Sequence, residues 1–149
     1  MDPLDDPFAA AAEMLNTWRL AGNADAIVLD FHGEASSEKM AMGHFLDGRV
    51  SVVVGTHTHV PTADAQVFPG GTGYMTDIGM CGDYDSVIGI RKETSVDRFV
   101  RKMPTVRMEA AQGVATLCAV LVDTDDSTGL TTDIRPIRIG GRLRGEQPD

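Results

Sequence analysis

The chain has 149 residues, room for one domain and not for two. Thirteen Lys and Arg against 22 Asp and Glu leave a net charge of −9, which argues against a general nucleic-acid binder. The longest apolar runs, Ala26-Ile27-Val28-Leu29 and Val50-Ser51-Val52-Val53-Val54, fall far short of the ~20 residues of a membrane span. The opening Met1-Asp2-Pro3-Leu4-Asp5-Asp6 is acidic, where a secretory signal is basic and then apolar. Cys81 and Cys118 form no CxxC pair, so the expectation is two reduced thiols in a cytoplasmic protein; a single bridge is the alternative. The eight Met and the one Trp read as core material.

Asp5-Asp6-Pro7 predicts a helix start, with Asp6 as cap and Pro7 at the first helical position. Apolar residues at helical spacing run from Phe8 to Leu20, and Gly22-Asn23 closes the helix. Residues 26–32 read as a buried parallel strand with a polar end. Ser36-Ser37-Glu38 opens a second helix, ending near Asp47-Gly48, and Val50–Val54 is a second buried strand that stops at Gly55. Helix, strand, helix, strand is α/β grammar, in which functional residues belong at the carboxyl ends of the strands. The stretches 65–68 and 74–77 flank Pro69-Gly70-Gly71-Thr72-Gly73 and predict a hairpin. Residues 78–89 read mainly as loop, with a short helix at 85–90, and 91–102 as helix. Residues 114–123 and 131–139 flank a turn at 125–129 and predict an antiparallel pair closing the sheet; residues 140–149 read as a frayed tail. There is no repeat and no linker, so 1–149 reads as one partial domain.

Three of the four histidines fall at predicted strand ends. His57 and His59 are two apart, which in an extended segment puts both on one side, and His32 ends the neighbouring strand. Neutral imidazole is the commonest transition-metal ligand, so His32, His57 and His59 are candidate metal ligands. A His-x-His also arises by chance on surfaces; adding His32 and the flanking Gly55 balances the two readings. His44, in mid-helix, is read as a surface or partly buried residue. Asp30, two residues before His32, either orients an imidazole or makes a core hydrogen bond. Glu34 is a helix cap or a substrate-side group. Asp77, in Thr76-Asp77-Ile78-Gly79, is a turn residue or a support for a ligand, and Asp64 is a further carboxylate nearby. Three histidines alone suit a mononuclear zinc hydrolase with one open position. A two-metal hydrolase also needs a bridging carboxylate, and no strand here offers an obvious one.

Asp30-Phe31-His32-Gly33-Glu34-Ala35-Ser36-Ser37-Glu38-Lys39, Gly55-Thr56-His57-Thr58-His59-Val60-Pro61-Thr62-Ala63-Asp64, Thr76-Asp77-Ile78-Gly79-Met80 and Asp85-Ser86-Val87-Ile88-Gly89 occur in this order. Together with Met1–Phe8 and Ile134-Arg135-Pro136-Ile137, they resemble the YmdB-like metallophosphoesterases, a branch of the calcineurin-like superfamily, over nearly the whole chain. The resemblance implies an α/β fold with a mixed sheet, the C-terminal half of a four-layer sandwich. It also implies a dinuclear, often di-iron (or manganese), centre that hydrolyses phosphodiesters, cyclic nucleotides included. By resemblance His32 and His57 hold one metal and His59 the other; Asp30, Glu34 and Asp77 stay the candidate supporting groups read from their positions. The family's first half is not matched. It carries an opening-strand Asp, a bridging Glu followed by Asn, a further Asn and the proton-donor His, so no catalytic proton donor is assigned. Cys81 and Asp83 depart from the family's Thr-Gly-Pro-like loop.

The expectation is a truncated phosphodiesterase, inactive or weak alone, completed by an N-terminal half or by self-association. The alternatives are a non-catalytic remnant or regulatory module and a mononuclear three-histidine zinc hydrolase.

Overall fold

A computed structural model of the chain describes residues 5–103 and 106–147. Residues 1–4 of the acidic opening and residues 148–149 of the tail lie outside it. The first helix, α1 (Pro7–Thr17), starts as predicted: the Asp6 carboxylate accepts the Phe8 amide at 2.9 Å and Pro7 occupies the first turn. It ends earlier than the apolar spacing suggested. Asn23 binds back to the Thr17 carbonyl at 2.8 Å and accepts the Arg19 amide at 2.9 Å, so residues 18–24 form a closed loop instead of a last turn. The second helix is α2 (Ser36–Phe45); Ala35 stands at its cap with no side-chain hydrogen bond, so Glu34 does not cap it.

Between and after these helices run β1 (Val28–His32), β2 (Val52–Thr56), β3 (Gln66–Val67) and β4 (Gly73–Met75). They form one mixed sheet in the order β1-β2-β4-β3, parallel except for the β3–β4 hairpin. β2 lies between β1 and β4 and is buried along Val52–Gly55, as its apolar run predicts, but it does not stop at Gly55: pairing with Phe31 and His32 of β1 carries it on to Thr56. β1 corrects the expectation of a buried strand. It is the sheet's edge, and Val28 is 67% exposed. A short apolar run marks a strand but not its place in the sheet, which depends on what pairs with it.

The predicted β-rich pair forms as β6 (Ala115–Thr124) and β7 (Thr131–Ile139). It does not close the first sheet. With β5 (Gly82–Asp83) it makes a second sheet in the order β5-β6-β7. That sheet lies against the first through Ile134, Val120 and Val122, which meet Val52 and Val54. On the opposite face α1 and α2 bury Ala11, Met42 and Leu46 against Val53, Tyr74 and Phe68. Helices, sheet and second sheet thus account for three of the four expected layers. Gly43 lets α2 lie close on the sheet: a Cβ there would stand 2.6 Å from the Tyr74 ring.

The third helix, α3 (Lys92–Arg101), lies within the predicted 91–102. The helix expected at 85–90 is instead a tight turn. Val87 and Ile90 exchange both backbone hydrogen bonds around Ile88 (φ 49°) and Gly89 (φ 92°). The segment expected to fray is tied down as far as Glu146, which exchanges both backbone hydrogen bonds with Arg138. Of the residues read as core material only part is buried. Met42 and Met75 are interior, whereas Trp18, Met14 and Met103 are exposed. No described helix is long and apolar enough to cross a membrane.

Candidate metal centre

β1 and β2 run parallel in a register that pairs His32 with Thr56, so the two strands end side by side. Gly33 follows one end and His57 the other. The His32 and His57 rings meet edge to face, with His57 Nδ1 3.2 Å from His32 Nε2. Both side chains are exposed at the sheet's carboxyl edge.

The tautomer of His32 follows from its neighbours. The Thr56 hydroxyl donates to Asp30 Oδ1 at 3.3 Å, so its oxygen is left to accept from His32 Nδ1 at 3.1 Å. The ring then donates through Nδ1 and turns Nε2 toward His57. Asp30 therefore orients the imidazole through Thr56, a residue that sequence reasoning overlooked. A second orienting bond acts on His59. Its Nδ1 lies 3.0 Å from the Ile88 carbonyl, which only accepts, so Nδ1 is the donor and Nε2 is the nitrogen turned away from that bond. Such outer hydrogen bonds aim metal-ligating imidazoles and set their tautomers.

At 3.2 Å the His32 and His57 nitrogens are hydrogen-bonded to each other, and two imidazole nitrogens bound to one ion at about 2.0–2.1 Å each would stand roughly 3.0–3.4 Å apart, so the same spacing accepts one ion in place of the shared proton. The donor set therefore fits a transition metal. His59 is held apart on the Ile88 turn. Among the described residues no group of three or more His, Cys, Asp or Glu side chains is placed to hold an ion by itself. His44 is elsewhere, stacked on Phe68 with ring centroids 4.2 Å apart. Glu34 is exposed beside the strand end.

The loop between the two β2-side histidines is strained and strongly braced. His57 has φ 149° and His59 φ 65°, conformations that L residues seldom adopt unless the surroundings impose them. Asp77, 1% exposed, does much of the bracing. Its Oδ2 accepts the Thr58 amide at 2.8 Å and Lys39 Nζ at 3.3 Å; its Oδ1 accepts the Gly79 amide at 2.9 Å. Lys39 is equally buried and forms an ion pair with it. Sequence reasoning kept Asp77 as a turn residue or support and did not single out Lys39; a lysine in an amphipathic helix ordinarily faces water. Tyr84, also missed, places its hydroxyl 3.0 Å from the His59 carbonyl and 3.1 Å from that of Met80, and accepts the Met80 amide at 3.0 Å. Burial and the Cys118 thiol push this phenol up to about 12, so it stays protonated.

Two carboxyls tie the loop to β4. Burial raises Asp77, but the amides of Thr58 and Gly79, with Thr58 and Lys39 side chains, outweigh it and hold the carboxyl below its ordinary value. Burial likewise raises Asp64, and hydrogen bonds from Thr62 and Thr76 bring it below the ordinary value. A carboxyl whose folded value lies below its unfolded one stabilises the fold in its ionised form. That contribution is complete above the unfolded value, about 3.9, and is lost as pH falls through the lowered folded values. We expect the thermal midpoint to drop as pH falls from about 5 toward 2 and Asp64→Asn to flatten that dependence. Melting curves across this range check it; the same slope in the variant and the parent would contradict the assignment to Asp64.

The chain is 48% identical over 139 residues to the 2′,3′-cyclic-nucleotide 2′-phosphodiesterase of Bacillus subtilis (strain 168), covering 93% of this chain and 52% of that protein. A crystal structure of a hypothetical protein from Thermus thermophilus superposes with a TM-score of 0.84 at 45% identity, over 95% of this chain and 54% of that one. A crystal structure of a novel phosphatase from Mycoplasma pneumoniae superposes with a TM-score of 0.81 at 35% identity, over 96% and 48%. The chain thus spans about half the length of the relatives it matches. The sequence profile of the YmdB-like proteins covers residues 1–137, and the chain belongs to that family.

Proposed function

We propose that this chain carries one half of the metal centre of a phosphodiesterase that acts on small phosphodiesters, cyclic nucleotides among them. The observation that carries the reading is the His32–His57 nitrogen pair, 3.2 Å apart, at the carboxyl ends of two parallel strands. The name of the B. subtilis relative supports the reaction class. His32 and His57 would hold one ion and His59 a second, as the resemblance implies; iron or manganese suits imidazole with added carboxylates. When bound, such a pair of ions supplies polarisation of the phosphoryl oxygens and activation of the attacking water.

The chain's own residues do the rest. Asp30 and Thr56 orient His32, the Ile88 carbonyl orients His59, and Asp77 fixes the backbone between His57 and His59. Three neutral imidazoles bring no negative charge, and two cations about 4 Å apart repel strongly without a bridging carboxylate. β1 is an open edge beside the site, and an apolar groove of about 400 Å3 runs along it, lined in part by Met14, Leu15, Trp18, Ile27 and Val28. A complementing segment that pairs with β1 and brings carboxylates beside His32 completes the centre in this reading. The chain's free thiols, Cys81 and Cys118, suit the reducing cytoplasm.

The experiment is hydrolysis of a chromogenic phosphodiester and of a 2′,3′-cyclic nucleotide with iron or manganese added. Residues 1–149 alone are expected to turn over far below ~1 per second, since the bridging carboxylate and a proton donor are not among the assigned groups. Turnover at or above that rate, abolished by His57→Ala, would overturn the half-centre reading.

A further inference from the structure

We propose that the buried Lys39–Asp77 pair is a positioning device for both segments that carry the three histidines, an inference that rests on the metal-centre reading above. The pair is 1% exposed on both sides. The Lys39 side chain leaves α2 and passes beneath both strand ends. A Cβ at Gly33, next to His32, would stand 3.3 Å from Lys39 Cγ, and a Cβ at Gly55, two residues before His57, would stand 2.7 Å from Lys39 Cδ. The lysine thus occupies the space that these two glycines leave. Its ammonium ends on the Asp77 oxygen that also accepts the Thr58 amide, the peptide between His57 and His59. The other Asp77 oxygen accepts the Gly79 amide, and the Asp77 backbone exchanges hydrogen bonds with Thr62. One side-chain pair therefore touches the His32 turn, the end of β2 and the His57–His59 loop.

Stability alone is a poor reason for this arrangement. Taking two charges out of water costs about what their attraction returns, and apolar residues of similar volume often do as well. What an apolar pair lacks is an acceptor for the Thr58 amide. Without that acceptor the His59 carbonyl keeps its bonds to Tyr84 and Met80, but the peptide joining His57 (φ 149°) to Thr58 is no longer held from beneath. The function of the carboxylate is to hold that strained peptide, and the function of the lysine is to keep a charge-bearing acceptor at home in the interior.

The test compares the double variant Lys39→Met/Asp77→Leu, which removes the acceptor, with the double variant Lys39→Met/Asp77→Asn, which keeps one acceptor oxygen; neither leaves a charge buried alone. Amide hydrogen exchange of Thr58 is read in the metal-free protein as a ratio to the core amide of Val53, so that global destabilisation cancels. Mn2+ affinity is read separately by calorimetry. In Lys39→Met/Asp77→Leu, Thr58 protection relative to Val53 and Mn2+ affinity are both expected to fall at least ~10-fold, and Lys39→Met/Asp77→Asn to restore most of each. Thr58 protection and affinity within about twofold of the parent in Lys39→Met/Asp77→Leu would overturn the inference. A parent protein that binds no Mn2+ counts against the metal-centre reading instead, and the Thr58 exchange ratio still decides the role of the pair.

Discussion

His57→Ala and His59→Ala are each expected to lower metal affinity by at least ~10–100-fold. That is the range typical for losing only an outer hydrogen bond to a ligand, and here a donor nitrogen itself is removed. For His57 the loss falls on the nitrogen that faces His32 at 3.2 Å, so the surviving imidazole is left as a single ligand. For His59 it falls on a ring whose orientation the Ile88 carbonyl has already set. His44→Ala is the control: it removes a stack on Phe68 and should alter stability while leaving the metal untouched. Titration of each variant with Mn2+ at equal protein concentration decides. Unchanged affinity in both His57→Ala and His59→Ala would remove the ligand assignment.

Gly55→Ala should have the largest effect on the fold. A Cβ at this position would collide with the Thr76 carbonyl oxygen and lie 2.7 Å from Lys39 Cδ. Neither neighbour is free to yield. The Thr76 carbonyl follows β4, which is paired with β2 through Val54 and Met75, and Lys39 is locked on Asp77. Accommodation means prying β2 from β4 or expelling the lysine, so the cost is expected at about 3 kcal/mol or more, the upper end of overpacking. Gly82→Ala, whose Cβ would meet only the flexible Met80 side chain at 3.6 Å, should stay within about 0.5 kcal/mol. Denaturant unfolding of both variants measures the difference; equal midpoints would show that the strand ends relax freely.

The two results bear on one arrangement, because the glycine that admits Lys39 stands two residues before His57. The close approach that makes Gly55 indispensable is also what lets a helix side chain reach the loop under the histidines.

Local signals sufficed for much of this protein. The Asp6-Pro7 helix start, the β2 run, the Gly-rich hairpin turn and the β6–β7 pair all rest on capping, periodicity and turn chemistry within about ten residues, and each formed where these rules put it. The placement of His32 and His57 at adjacent strand ends was legible too, since parallel α/β strands carry their polar ends to one edge. Other features depended on partners distant in sequence. β1 became an edge and β6–β7 a separate sheet because strand order is a matter of tertiary pairing. Residues 85–90 turned instead of coiling because Ile88 and Gly89 take positive φ, and the Ile88 carbonyl receives His59, 29 residues away. Thr56 acquired its role only when β1 brought Asp30 and His32 against it. Lys39 reads in sequence as one more charged helix residue; its burial required an acceptor 38 residues on, at the end of a strand it does not adjoin in the chain. Sequence patterning thus determined most of the elements and where the histidines stand. Packing alone decided which buried charges hold them, because desolvating an ion is tolerable only where the folded chain presents its counter-charge.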